Sequence, residues 1–240
     1  MTNPLLIVFS GAQGCGKDTA IEYLEKFYTL ERAECKETLH SATMELFNVP
    51  EDVYWDIYNN RELKKKPFDY LAITKKEAFK LGIVLESATL MSGANTRVTQ
   101  NGKVALNIRE AMVYTSECVM KPMFGNDVFG VRRAQKLTNG VYVDGSYGFK
   151  EEAQPAIDKL GQDNILAIRI TGRSDGNIDS RTPIPDGLFD NTVDIHNGED
   201  VSLETFQQRV LNVVEDFLGE RGVFMHNHHY EGLRAKHSPF

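Results

Sequence analysis

One segment near the start of this sequence leaves few folds open. Leu5–Ser10 is a short apolar run ended by glycine, the pattern of a buried strand. Gly11-Ala12-Gln13-Gly14-Cys15-Gly16-Lys17-Asp18-Thr19 follows. Beyond it Ala20, Ile21, Leu24 and Phe27 fall on one helical face, predicting a helix from Lys17 to about Tyr28. A strand, a GxxxxGK loop and a helix, in that order, is the context a Walker A phosphate loop requires. The glycines let the backbone curl so that successive N–H groups face one anion, and the helix N-terminus adds partial positive charge. Lys17 would reach the β- and γ-phosphates. ATP with Mg²⁺ is therefore the expected ligand, held by Gly11, Gly14, Cys15, Gly16, Lys17, Asp18 and Thr19.

The residue after the lysine is ordinarily Ser or Thr, whose hydroxyl serves Mg²⁺; here it is Asp18. A carboxylate can hold the ion directly or through water, and Thr19 offers a hydroxyl to ion or phosphate; the sequence does not choose between them. Asp144 ends the apolar run Val141–Val143, where phosphoryl-transfer sites commonly carry a metal-binding aspartate. The lesser alternative is a plain turn aspartate before Gly145.

Val141–Asp144 and Ile165–Ile170 are further runs of strand type, and Thr192–His196 is a weaker one. Ser202 is a good N-cap for a helix to Leu218, with Leu203, Phe206, Val210, Val213 and Phe217 at helical spacing. Pro155 should start or kink the helix between Phe149 and Leu160. Strands alternating with helices predict an α/β three-layer sandwich around a mainly parallel sheet. Residues from about 33 to 125 interrupt that rhythm with a mostly helical stretch, read as an insertion over the sheet's ligand edge within one domain, 1–240. Inside it Thr96–Ala105 alternates around Asn101-Gly102, predicting a hairpin with a type I′ turn.

The 240 residues suffice for one large domain. A formal charge of −7 argues against a nucleic-acid coat, whose binding is driven by phosphate neutralisation. Met1–Pro4 has no basic segment and Leu5–Phe9 is too short for a signal peptide or membrane span. Cysteines at 15, 35 and 118 form neither a CxxC pair nor an even framework. The expectation is a cytoplasmic protein with a small-molecule substrate and neither nucleic acid nor membrane as partner.

A kinase must also grip its acceptor, and arginine's planar fork suits a phosphate. Arg61 lies with Lys64, Lys65 and Lys66 in the aromatic-flanked stretch Tyr58–Phe68, and Arg109 lies in Leu106–Glu110. Arg169, Arg173 and Arg181 bracket a Gly/Ser/Asp-rich loop, a lid at about 170–185. Lys65 and Lys66 read as a solvated face. Trp55, with Tyr54 and Tyr58 at helical spacing, suits either core packing or a platform for a nucleobase. His226, His228 and His229 read as a solvated tail, without the Cys or carboxylate spacing of a metal site.

In order along most of the chain, these residues resemble the deoxynucleoside monophosphate kinases of tailed bacteriophages, within the P-loop nucleoside monophosphate kinase superfamily. Gly16-Lys17-Asp18-Thr19 is similar to that family's GKDT loop. Ala33–Phe47 resembles the segment entering the monophosphate-binding region, and Arg61-Glu62-Leu63-Lys64 the R-x-L-K element. Asn107–Ala111 followed by Thr115-Ser116-Glu117 resembles the PRE…GTE element, whose arginine is expected at the acceptor phosphate. Asp144–Ala153 is similar to the DxRFxNEA stretch, and Asp190–Leu203, with Asn197-Gly198, to the last strand–helix junction. The chain departs from the pattern at Ser146 and Lys121, where the family carries arginine. It departs again at Ser180-Arg181, which replaces a Ser/Thr-Glu pair, and in the extra length of residues 70 to 105.

The resemblance implies ATP-dependent phosphorylation of a deoxynucleoside monophosphate, in the host cytoplasm for a phage protein, and is compatible with a homodimer. Together the residues and the resemblance assign catalysis to Lys17, Arg109, Arg173 and Asp144, and Mg²⁺ to Asp18 and Asp144. Arg61, Lys64, Arg109, Trp55 and Arg169 are assigned to the acceptor. Closure of insertion and lid should exclude water. The alternatives are a small-metabolite kinase with the same loop, and a nucleotide-gated switch or assembly ATPase. The basic set around Arg61 and Arg109 favours a kinase, since a switch needs no acceptor pocket.

Overall fold

A computed structural model describes residues 3–82, 97–174 and 184–226. Five strands form one parallel sheet: β1 (Leu5–Ser10), β2 (Leu30–Arg32), β5 (Val141–Asp144), β6 (Ile165–Gly172) and β7 (Asn191–Asn197). Their order across the sheet is β2-β5-β1-β6-β7. Every residue of β1 is buried, because a central parallel strand is covered on both faces and so reads as a continuous apolar run.

Leu5, Ile7 and Phe9 face one side, against Ala20, Ile21 and Leu24 of α1 (Lys17–Leu24) and Phe206, Val210, Leu211 and Val214 of α9 (Leu203–Gly219). Leu6 and Val8 face the other, with Tyr142, Ala167, and Ala156 and Leu160 of α8 (Gln154–Leu160). The architecture is thus α/β, with helices on both faces of a parallel sheet. All five strands run the same way, so the segments after β1, β5, β6 and β7 leave from one edge, with the β1 turn at its middle. That edge is where open parallel sheets hold ligands.

The chain divides into two compact units, Met1–Lys36 with Phe129–Phe240, and Glu37–Val128. The first holds the parallel sheet. The second comprises most of α2 (Cys35–Phe47), then α3 (Glu51–Asn59), α4 (Lys75–Lys80) and α5 (Ile108–Tyr114). A π-helical segment, Thr115–Met120, and α6 (Lys121–Phe124) follow α5 without a break, and β3 (Phe68–Ile73) pairs antiparallel with β4 (Val104–Leu106). Tyr54, Ile57, Leu71, Val104, Leu106 and Ile108 form this unit's own core. Among the described residues no helix is long and apolar enough to cross a membrane.

Three local expectations are corrected. Helix α1 ends at Leu24, and Phe27 closes a tighter turn by donating its N–H to the Leu24 carbonyl at 2.9 Å. In α9 the Ser202 cap forms, its hydroxyl accepting from Thr205 N–H at 3.1 Å, but Leu203 stays 55% exposed. Leu203 lies on the apolar face one turn before the buried stretch begins, and Leu211 and Leu218 take up the packing instead. The hairpin forms without a type I′ turn, which needs positive φ at both central residues. Only Gly102 has it, at 71°. Gly102 N–H donates to Thr99 O and Thr99 N–H to Lys103 O, both at 2.9 Å, which makes a three-residue loop with a left-handed glycine. Thr96 lies outside the described residues.

Candidate functional site

The Gly11–Gly16 loop leaves the middle of the sheet edge and turns directly into α1. Gly11 and Gly16 adopt φ of 150° and 108°, left-handed values that disfavour any side chain. A Cβ on Gly11 would collide with the Ile170 carbonyl oxygen, and one on Gly16 would lie 2.8 Å from Asn197 Nδ2. Cys15 is fully buried in the core beneath the loop, its Sγ 3.6 Å from the Lys17 ammonium. Lys17 is half-buried, and its ammonium turns back over the loop to donate to Gly11 O at 2.7 Å and Ala12 O at 2.9 Å. Asp18 is exposed and Thr19 half-buried in the first turn of α1. The seven loop residues read from sequence are therefore together.

Two residues that sequence reasoning missed hold this region. Asn197, 4% exposed at the end of β7, donates Nδ2–H to the Cys15 carbonyl at 2.7 Å and ties the loop to the far side of the sheet. Arg133, on α7 (Val128–Lys136), is fully buried and forms an ion pair with Asp144. Its other terminal nitrogen donates to the Glu152 carbonyl at 2.7 Å. Burial disfavours its charge, but the field of Cys35, Asp144 and Glu152 outweighs that and raises its pKa. Phe129, Arg133 and Leu137 recur at i, i+4 and i+8, so an arginine sits in line with apolar neighbours that are both buried. That spacing was the available signal. Asn197 stood out only as part of the last strand–helix junction, Asn197-Gly198, with no role attached to its side chain.

Asp144 ends β5 with no exposed surface; its Oδ1 accepts from the backbone N–H and the hydroxyl of Ser146, each at 2.7 Å. A Cβ on Gly145 would lie 3.9 Å from Asp18 Oδ1, so Asp18 looks onto the same strand end. Among the described residues no three His, Cys, Asp or Glu converge as a metal cluster. Asp18 and Thr19, beside the loop, are the residues whose chemistry and exposure suit Mg²⁺.

Arg169 is occupied. Its Nε and Nη2 grip both Asp194 oxygens at 2.6 and 2.7 Å across the β6–β7 register, and Nη1 pairs with Asp186. Hydrogen bonding to Arg169 in turn lowers the Asp194 pKa. A phosphate at this fork would have to displace two carboxylates. Arg173 is exposed beyond β6, with one 3.3 Å contact to Val201 O. Arg181, His228 and His229 lie outside the described residues; His226 lies 3.3 Å from Thr29 Oγ1.

In the second unit Arg109 is exposed in the first turn of α5, without a hydrogen-bond partner among the described residues. Its neighbour Glu110 does not orient it. Glu110 closes a capping box with Asn107 and pairs with Arg97 at 2.8 Å. Arg61 is exposed, and Lys64 lies 3.6 Å above the Tyr58 ring. Trp55 is half-buried in an aromatic group with His40, Tyr54 and Tyr58, in which His40 Nδ1 meets the Tyr54 hydroxyl at 2.7 Å. No protein-family model matches this sequence, and no curated protein matches it.

Proposed function

We propose that this chain is an ATP-dependent kinase of the P-loop type that phosphorylates deoxynucleoside monophosphates to diphosphates. The observation that carries this is the glycine loop: backbone curled by Gly11, Gly14 and Gly16, set at the middle of a parallel sheet edge, with the Lys17 ammonium folded over it. The loop N–H groups and the α1 N-terminus bind the donor phosphates, and Lys17 neutralises their terminal oxygens. Asp18 or Thr19 would hold Mg²⁺, which when bound would supply the remaining charge neutralisation.

Arg109, an exposed guanidinium without an internal partner among the described residues, is assigned to the acceptor phosphate, with Arg61 and Lys64 in the same basic set. Arg173 is assigned to charge spread over the group in transit. The acceptor oxygen is anionic near neutral pH, so no general base is required. The test is coupled ADP release measured across the deoxynucleoside monophosphates, with Lys17→Ala as control. Turnover should need a monophosphate and vanish in Lys17→Ala, while thermal melting stays unchanged. ADP release that ignores the monophosphate would make the chain an ATPase, and retained turnover in Lys17→Ala would remove the loop from the chemistry.

A further inference from the structure

The carboxylate at the end of β5 is claimed by the protein on both oxygens. Oδ1 of Asp144 takes two donors from Ser146, Oδ2 takes Arg133, and the residue has no exposed surface. A ligand to Mg²⁺ must turn a lone pair towards a space that also admits the ion's retained waters, because Mg²⁺ demands near-octahedral geometry and dehydrates reluctantly. Asp144 has no such space. Asp18 does: it is exposed, adjoins Lys17, and looks onto Gly145 from the open side. Arg133 meanwhile spans from Asp144 to the Glu152 carbonyl, so a single guanidinium pins both ends of the 145–152 segment.

We infer that Asp144 is the buried counter-ion of Arg133, a positioning residue for the turn that follows β5, and that Asp18 is the carboxylate that meets the metal. The second half rests on the proposed kinase function; the first does not. A buried ion pair has a recognisable energetic pattern. Losing one partner strands the other charge in a medium that cannot solvate it, whereas losing both removes the problem.

Two measurements decide it: urea unfolding without nucleotide, and uptake of Mn²⁺ in the presence of ADP, read from free Mn²⁺ by electron paramagnetic resonance. Arg133→Met and Asp144→Asn should each lower the folding equilibrium constant by roughly 100-fold or more. The double variant should lose far less than the product of the two. That double variant should take up Mn²⁺ with ADP within about 3-fold of wild type, whereas Asp18→Asn should weaken uptake by about 10-fold, the scale of one lost charged contact. Additive losses, in which the double variant loses the full product of the two singles, overturn the pairing. A folded double variant with Mn²⁺ affinity down about 10-fold makes Asp144 a ligand after all. If wild type takes up no Mn²⁺ with ADP, the kinase function and the Asp18 assignment fail together, and the unfolding series still decides the role of Arg133 and Asp144.

Discussion

Replacing Asn197 by alanine removes one hydrogen bond, and the structure says what that bond holds. Its Nδ2–H lies 2.7 Å from the Cys15 carbonyl, Asn197 is 4% exposed and Cys15 is fully buried. Water has no ready access to replace the lost donor, so the carbonyl is stranded at about 1–3 kcal/mol. For a chain of this size each kcal/mol moves the melting temperature by about 2–4 °C, so a fall of roughly 2–12 °C is expected. The same bond fixes the peptide between Cys15 and Gly16, whose N–H belongs to the curl proposed to hold the donor phosphates. If about 1–2 kcal/mol of ordering must then be supplied by the ligand, ADP affinity falls by roughly 5- to 30-fold. Asn197→Asp should be worse than alanine, because it keeps the bulk but turns a carboxylate oxygen on the carbonyl. Differential scanning calorimetry gives the first quantity and isothermal titration with ADP the second. An alanine variant that melts within about 1 °C of wild type and binds ADP equally well would show that the loop holds its shape unaided, and the latch would be dismissed.

Arg109→Ala should lower kcat/KM for the monophosphate by roughly 30- to 1,000-fold, about 2–4 kcal/mol of transition-state stabilisation, with ADP binding unchanged. Arg109→Lys should recover only part of this, since a point charge cannot fork onto phosphate; loss of ADP binding instead would move Arg109 to the donor side. Glu77 caps α4 and accepts from Thr74 Oγ1 at 2.7 Å, the Tyr114 hydroxyl at 2.7 Å and Thr74 N–H at 2.8 Å, and these bonds lower its pKa. A depressed folded pKa means the contribution is complete above the unfolded carboxylate value and disappears as pH falls through the folded one. Urea midpoints of wild type and Glu77→Gln should therefore differ near pH 7 and converge as pH falls below the ordinary carboxylate range; a gap independent of pH would mean the cap does not depend on ionised Glu77. Burial first, and then the Glu77 bond, push the Tyr114 hydroxyl up to about 12, so its proton stays on the phenol throughout that range.

What the sequence determined by itself is what depends on neighbours along the chain. Leu5–Ser10 is a strand because both faces are apolar, the loop curls because Gly11, Gly14 and Gly16 permit it, and Ser202 caps α9 because its hydroxyl reaches a backbone N–H three residues on. The alternation of elements was enough for an α/β arrangement around a parallel sheet. Tertiary structure decided the partners. Arg169 reads like a phosphate arginine until β7 comes alongside and brings Asp194 opposite it, 25 residues away. The spacing of Phe129, Arg133 and Leu137 puts Arg133 in line with the core, but its partner appears only when α7 packs it onto the end of β5, where Asp144 lies. Asn197 acquires a role only because the parallel order sets the end of β7 against a loop 182 residues earlier. A charge or an amide carries the same chemistry wherever it stands, but whether it is free for a ligand or consumed by the protein depends on burial and on which distant donor or acceptor folding places within about 3 Å.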